Sequence, residues 1–162
     1  MSASLSASEQ NVRVQDAPFD PGAEINAFLA RNPNSGGVAS FVGQMRDFRG
    51  ATRADAEKIA AMTLEHYPGM AEKQFDALLT DARGRWTLDD ALIIHRYGTL
   101  HPSEAIVLVI TASAHRADAL AACEFLIDWL KTKAPFWKKE ISGTDAAWVE
   151  AQVSDYTRAE KW

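Results

Sequence analysis

Two short segments of this sequence carry basic residues in places where they could bind an anion. The first, SAHR at residues 113–116, follows the apolar stretch IVLVITA. A serine after a buried strand is a good helix N-cap, so we expect Ser113 to begin a helix whose first turn contains His115 and Arg116. Free backbone N–H groups and the helix dipole favour an anion there, whereas two cations oppose the dipole. The placement is explained either by a bound anion or by solvent-exposed side chains after a tight turn.

The second segment is KTKAPFWKKE at residues 131–140. Lysines near the C-terminus of a helix complement its dipole, which is a sufficient explanation for Lys131 and Lys133. It does not explain Lys138 and Lys139, which follow the apolar tripeptide Pro-Phe-Trp. An aromatic neighbour could desolvate an ammonium group and favour its neutral, nucleophilic form. These two lysines are therefore candidates for acid–base or nucleophilic chemistry.

Two further positions give weaker signals. Arg46 follows FVGQM at residues 41–45, at the end of a predicted strand, and Gly43 could permit a bulge or a close backbone approach there. A lone arginine at a strand end is usually a surface residue. His95 and Arg96 are neighbours in another predicted strand, so alternation predicts that one side chain points inward and the other outward. A structural role is the better interpretation of this histidine.

The four histidines and the one cysteine predict no metal site, because they show no CxxC, HxxxH or HExxH spacing. His66 and His101 stand beside turns and are expected at the surface. Cys123 falls on the apolar face of a predicted helix and is expected in the core rather than as a nucleophile. The sequence also has no GxSxG or GxGxxG motif and no P-loop, which argues against three common enzyme classes.

Length and composition indicate one acidic globular domain. The chain has 162 residues, of which 47% are hydrophobic and 24% charged, with a net charge of −5. No apolar run approaches the roughly 18 residues that cross a bilayer, and a secretory leader is not expected. The acidic balance argues against nucleic-acid binding, and a single cysteine is typical of the reducing cytoplasm. We predict a disordered tail over residues 1–11 and a single catalytic domain over residues 12–162.

Hydrophobic periodicity predicts an α+β single-domain sandwich with a mixed or antiparallel sheet. Helices are expected over residues 21–31, over residues 70–86, and from Ser113 to the Ala134-Pro135 pair. Strands are expected over residues 38–42, 61–66, 92–97, 106–112 and 148–153, with a loop over residues 50–58. The strand at 106–112 is apolar enough to be central.

Six motifs in this chain also occur, in the same order, in one protein family. They are FVGQMRD at 41–47, LEHYPGM at 64–70, IIHRYG at 93–98, SAHR at 113–116, DWLKTKAPFWKKE at 128–140 and WVEA at 148–151. The chain resembles the large, catalytic subunit of molybdopterin synthase over about residues 36–151. The resemblance implies a hammerhead-like α+β fold and a cytoplasmic sulfurtransferase of molybdenum cofactor biosynthesis.

The resemblance also implies a reaction and its partners. The family converts cyclic pyranopterin monophosphate to molybdopterin by installing two sulfurs as a dithiolene. Sulfur arrives as a thiocarboxylate on the C-terminal Gly-Gly tail of a small ubiquitin-like subunit. Two catalytic subunits form the homodimer core of a heterotetramer, and the transfer needs no metal or organic cofactor.

Site residues follow from the resemblance position by position. The implied catalytic residues are Lys131, which could meet the glycine carbonyl, and Lys138, which could act as an acid or base; this division of roles is a hypothesis. The implied substrate-binding residues are Gln44, Met45, Arg46, His115, Arg116, Lys131, Lys138, Lys139 and Glu140. Gln152 departs from the family, because some relatives place a basic residue there.

One geometric consequence concerns the predicted helix after Ser113. Arg116 and Lys131 are 15 positions apart, or roughly 22 Å at about 1.5 Å per residue. A single small-molecule site cannot easily use both ends of one straight helix. We therefore expect a dimer in which His115 and Arg116 of one protomer complete the pocket of the other.

Two alternatives to this function remain. The chain could be a non-catalytic adaptor that only docks a ubiquitin-like partner. It could also be an unrelated enzyme that binds a phosphate ester with the same basic cluster. Neither alternative accounts for six ordered motifs.

Overall fold

The fold is taken from a computed structural model that describes residues 11–49, 57–142, 145–149 and 153–162. Within these residues the strands are β1 (Val12–Gln15), β2 (Gly37–Gln44), β3 (Phe48–Arg49), β4 (Glu57–Lys58), β5 (Ala61–His66), β6 (Asp90–Arg96), β7 (Gly98–Leu100), β8 (Ala105–Ser113), β9 (Phe136–Ser142) and β10 (Asp145–Val149). The helices are α1 (Pro21–Arg31), α2 (Met70–Arg85), α3 (Arg116–Lys133) and α4 (Val153–Ala159).

The described strands form two four-stranded sheets and a separate two-stranded pair, β3-β4. Sheet 1 has the order β1-β6-β8-β2, and sheet 2 has the order β10-β9-β5-β7. In sheet 1, β1 runs parallel to β6, whereas β8 is antiparallel to both of its neighbours. The predicted α+β sandwich with a mixed sheet is confirmed, and β8 is a central strand as its apolar sequence predicted.

Helices cover both faces of sheet 1, which explains why β6 and β8 are apolar almost throughout. One face packs against α2 and α3 through Phe75, Leu79, Phe125 and Leu126. The other face packs against α1 through Phe28. Buried on two sides, these strands gain stability from nearly every side chain rather than from alternate ones.

Sheet 2 lies at one end of sheet 1, where β2 and β6 finish and β8 begins. Met62 and Leu64 of β5 pack with Met45, which follows β2, and with Leu100 of β7. Ile106 at the start of β8 packs against the same cluster. The junction of the two sheets therefore has its own small apolar core.

Several predicted elements are confirmed, including the helices at 21–31 and 70–86, the latter ending one residue early, and the strand at 61–66. The bulge expected at Gly43 is present as a register shift between Gly43 and Gln44. Cys123 is buried, and burial raises the pKa of its thiol to about 11, as expected for a core residue rather than a nucleophile.

Other predictions are wrong. Ser113 is the last residue of β8 and not the N-cap, because helical backbone begins only after His115, which is itself extended. The Ser113 hydroxyl donates to Thr87 O at 2.7 Å and accepts from His115 N at 3.3 Å. His115 is the N-cap of α3, and no side chain caps this helix end. His95 and Arg96 are both buried, against the expected alternation, because other elements cover both faces of the end of β6.

The ends of two predicted segments also differ. Glu57–Lys58, expected in a loop, is strand β4 and pairs with β3. The last sheet strand ends at Val149, and Val153 begins α4 rather than ending a strand. The tail predicted over residues 1–11 lies outside the described residues except for residue 11, as do residues 50–56 of the expected loop and Gln152.

Candidate functional site

The C-terminal end of α3 carries Lys131 to the junction of the two sheets. The helix ends at Lys133 because Ala134 is extended and Pro135 cannot continue it. Lys131 is exposed. It lies near His95 at the end of β6, since its charge helps to lower the pKa of that histidine.

Strand β9 begins three residues after α3 and carries Lys138 into the same region. Along β9 the side chains of Phe136, Lys138 and Glu140 share one face, whereas Trp137 and Lys139 share the other. In the register with β5, Lys138 is opposite Leu64 and Glu140 is opposite Met62. Lys138 therefore lies on the face of sheet 2 that meets the end of sheet 1.

Lys138 and Glu140 form an ion pair, with Nζ 3.0 Å from Oε1. The Glu140 side chain is 8% exposed, whereas that of Lys138 is 41% exposed. A nearly buried carboxylate beneath a half-exposed ammonium fixes the position of the ammonium and leaves one side of it open to solvent. This arrangement suits a lysine that meets a ligand.

Arg46 reaches the same place from sheet 1. Its neighbour Met45 is buried with Met62 and Leu64, the residues that lie opposite Glu140 and Lys138. Arg46 itself is exposed. The structure thus brings Arg46, Lys131, Lys138 and Glu140 to one end of sheet 1.

A column of aromatic rings, formed by Tyr97, His66, Phe136, His95 and Phe75, supports this cluster. The Phe136 ring stacks on His95 with 4.1 Å between centroids and 12° between planes. His66 lies 5.7 Å from Phe136 and 4.2 Å from Tyr97. Sequence reasoning missed this column because only the strand pairing brings its members together.

The protonation state of His95 follows from its contacts. Its Nδ1 lies 2.8 Å from Arg96 O, and a carbonyl only accepts, so Nδ1 carries the hydrogen. Burial lowers the pKa of His95 to about 4; repulsion from Lys131 and His66 adds to this and the bond to Arg96 O opposes it. His95 is therefore neutral at pH 7 and adds no positive charge beside Lys131.

This shift predicts an acid-dependent loss of stability. Below pH 6.5 the unfolded chain protonates His95, whereas the folded chain does so only near pH 4. The free energy of unfolding should therefore fall by about 3 kcal/mol from this residue alone as pH is lowered through that window. Urea unfolding from pH 7 to 4 measures it.

The comparison uses one histidine variant. His95→Asn removes the titrating ring, so its stability deficit relative to the parent should shrink as pH falls from 6.5 to 4. Parallel curves for the parent and His95→Asn would contradict a depressed pKa.

His115 and Arg116 lie at the opposite end of sheet 1. They line a surface cavity of about 460 Å³ together with Gly36, Ala114 and Ala117. A Cβ on Gly36 would lie 2.1 Å from Ala114 O, so the start of β2 can approach this turn only with a glycine. Arg116 and Lys131 lie in one continuous helix, α3, so the separation that the sequence predicted between these two residues is confirmed.

Three other predicted substrate-binding residues, Lys139, Met45 and Gln44, do not share the position of Lys138. Lys139 lies on the other face of sheet 2, with Nζ 5.7 Å from the centre of the Trp148 ring. Met45 is buried, whereas Gln44 is exposed at the end of β2. One pocket cannot receive both Lys138 and Lys139 side chains.

Other features of the described residues fall outside this cluster. A groove of about 640 Å³ between α2 and α3 is mainly apolar and contains none of the predicted site residues. No group of three or more potential metal ligands is found in the described ranges. No helix among them is long and apolar enough to cross a membrane.

Comparison with known proteins places this arrangement in a family. The profile of the family described as MoaE protein matches residues 14–133. The chain belongs to the MoaE family. The match includes Arg46, His115, Arg116 and Lys131, and it ends before Lys138.

Individual relatives cover more of the chain than the MoaE profile does. The chain is 50% identical to the molybdopterin synthase catalytic subunit of Ralstonia nicotianae, over 93% of this chain and 83% of the relative. It is 48% identical to the same subunit of Pseudomonas aeruginosa, over 93% and 97% of the two chains. The solved molybdopterin biosynthesis MoaE protein of Burkholderia ambifaria is 45% identical, with a TM-score of 0.77 over 94% and 97% of the two chains.

Proposed function

We propose that this chain is the catalytic subunit of a molybdopterin synthase and that it transfers sulfur to a pterin phosphate in molybdenum cofactor biosynthesis. The observation that carries the proposal is the Lys138–Glu140 ion pair, with Lys131 near His95 and Arg46 after β2 at the same end of sheet 1. We refer to Arg46, Lys131, Lys138 and Glu140 as the cluster. The substrate is an anion, and the sulfur donor is a carbonyl compound. Both need the positive charge that this cluster provides within an acidic chain.

Each residue has a role suited to its chemistry. Arg46 can bind phosphate oxygens through two parallel N–H groups, which a lysine cannot do. Lys131, at the helix end, can bind the carbonyl oxygen of the incoming thiocarboxylate and stabilise charge that develops there. Lys138, held by Glu140, can give a proton to or take one from the pterin intermediate.

The partner in this reaction is the small ubiquitin-like sulfur carrier, which delivers sulfur on its C-terminal Gly-Gly. In each transfer the thiocarboxylate sulfur forms a carbon–sulfur bond to the pterin. Water then attacks the glycine carbonyl and breaks its bond to sulfur, which leaves sulfur on the pterin and returns the carrier tail as a carboxylate. Two transfers give the dithiolene. The chain would act in the cytoplasm, with residues 12–162 as one catalytic domain.

The distant position of His115 and Arg116 extends the proposal to a homodimer. A second protomer related by twofold symmetry can bring its His115 and Arg116 to the pocket of the first, and the symmetry makes the exchange mutual. The phosphate would then be bound by Arg46 of one protomer and by the partner's Arg116. The core of the assembly is thus a pair of catalytic subunits.

Reconstitution tests the activity directly. The purified chain is incubated with cyclic pyranopterin monophosphate and thiocarboxylated small subunit, and dithiolene product is measured. We expect product with the thiocarboxylate and none with the small subunit that carries an ordinary carboxylate. Binding of the small subunit without product would favour the adaptor alternative.

A further inference from the structure

We infer that Arg96 and Glu104 are positioning residues that hold Arg46 at the anion site. This inference rests on the proposed function, because it concerns how the substrate phosphate is bound. Neither side chain needs to touch the substrate. Both act on the backbone that carries Arg46, through a chain of hydrogen bonds among described residues.

Arg96 begins this series of hydrogen bonds, and its own position is fixed by burial. It is 4% exposed, at the end of β6. Its Nη2 and Nε donate to Asp16 O at 2.8 and 3.2 Å, and its Nη1 donates to Glu104 Oε2 at 3.4 Å. A buried guanidinium needs a carboxylate partner, so Arg96 holds Glu104 in place.

Glu104 transmits this constraint to a tight turn over residues 101–104. Its Oε2 accepts from the backbone N–H of His101 at 2.8 Å, and its own N–H donates to His101 O at 3.1 Å. The His101 N–H, and then Arg96, hold the pKa of the Glu104 carboxyl below its usual range. The turn is tight enough to place Ser103 at φ +72°, a region that non-glycine residues rarely adopt.

The turn then binds the residue next to Arg46. Met45 N donates to Glu104 O at 3.0 Å, and Ser103 N donates to Met45 O at 2.9 Å. These two bonds replace the strand pairing, which shifts register after Gly43 and stops at Gln44. Backbone bonds therefore hold Arg46 from both sides: the turn binds Met45 before it, and Asp47 O after it accepts from Ile59 N at 2.9 Å. The turn fixes the side on which β2 ends.

A displacement here would act mainly on substrate binding. Met45 is anchored on one side by its buried side chain and on the other by the turn. If the turn loosens, the arginine that follows keeps its charge but loses its alignment. Misplacement of about 1 Å in a positioning group can cost up to 10²-fold.

The test measures how Glu104→Gln changes the steady-state kinetics of the reconstituted synthase. Glutamine still accepts from the His101 N–H but no longer neutralises Arg96. We expect KM for cyclic pyranopterin monophosphate to rise about 5- to 20-fold while kcat changes less than about threefold. The matched control is Asp90→Asn, which removes the 2.7 Å ion pair with Arg31 at the far end of β6 and should leave KM unchanged.

A double-variant cycle separates positioning from a general structural effect. If Glu104 acts through Arg46, then Glu104→Gln should raise KM less than about twofold in an Arg46→Ala background. An equal rise in both backgrounds, or an unchanged KM in the single variant, would overturn the inference. Arg96→Lys should give the same KM effect if it folds, because a lysine cannot make both sets of contacts.

A second readout does not depend on turnover. Amide hydrogen exchange over residues 44–47 should be faster in Glu104→Gln than in Asp90→Asn, because the Met45 N–H loses its fixed acceptor. Equal exchange would contradict the inference even in an inactive protein. An unmodified chain that forms no dithiolene, with exchange changed as expected, would instead count against the proposed function alone.

Discussion

Replacement of Lys138 by arginine should lower single-turnover formation of dithiolene by about 10²- to 10³-fold, although the ion pair with Glu140 is kept. Arginine retains the positive charge that the buried carboxylate requires, so the fold should be preserved. It cannot give up a proton near neutral pH, and the proposed role of Lys138 is proton transfer. Rapid-quench measurement of product, with the unmodified protein as reference, gives the size of the effect.

Two further variants test whether the loss of activity comes from proton transfer by Lys138. Lys138→Ala should be at least as inactive, but it also removes the ammonium group that pairs with the buried Glu140 carboxylate, so its unfolding free energy must be measured as well. Lys139→Ala changes the neighbouring lysine on the opposite face of sheet 2 and should cost much less activity. Near-normal turnover in Lys138→Arg would reduce the role of Lys138 to electrostatic binding.

The second large effect is the rescue of two inactive proteins by each other. Arg116→Ala and Lys131→Ala should each lose most activity, because each removes one part of a pocket shared between protomers. After subunit exchange, half of the dimers are mixed, and each mixed dimer contains one pocket with both residues intact. Activity should therefore recover to about a quarter of that of the unmodified protein.

The control mixes Lys131→Ala with Lys138→Arg. In the proposed dimer each pocket takes both lysines from the same protomer and Arg116 from the partner. Every pocket in this mixture therefore lacks one of the two lysines. That mixture should stay inactive after the same exchange. Rescue in both mixtures, or in neither after exchange has been verified by mass, would contradict a site shared in this way.

The sequence predicted local structure well where one segment determines it. Period-3.6 patterns located α1 and α2 to within a residue, and the Ala134-Pro135 pair located the end of α3. The apolar run of β8 predicted a central strand. The residues that the family motifs identified at 46, 131 and 138 belong to segments that end or begin at the same end of sheet 1, and their role in a shared site stays a prediction.

Features that depend on distant pairing could not be predicted in this way. Strand β9 was read as a helix end followed by basic residues, because its partner β5 is about 75 positions earlier. Phe136 of sheet 2 covers His95, whereas Asp16 and Glu104 cover Arg96, so both residues are buried by partners distant in sequence. The N-cap differs from the prediction because extended backbone continues past Ser113 to His115, and the pairing of β8 with β2 and β6 that sets this length is not visible in the local sequence.

The chain runs along β8 and returns beside it along α3, and this path sets the distance between the two proposed reaction centres. Thr111 near the end of β8 donates to Ala119 O in the first turns of α3, so the chain reverses there and returns beside the strand. Glu104 and Lys131 thus lie at one end of the unit formed by β8 and α3, and Arg116 lies at the other end. In the proposed dimer the two reaction centres would be separated by the length of α3 between Arg116 and Lys131, roughly 22 Å. Two carrier tails could then be bound at once without touching, and an assembly loaded with only one small subunit should work at half the full rate.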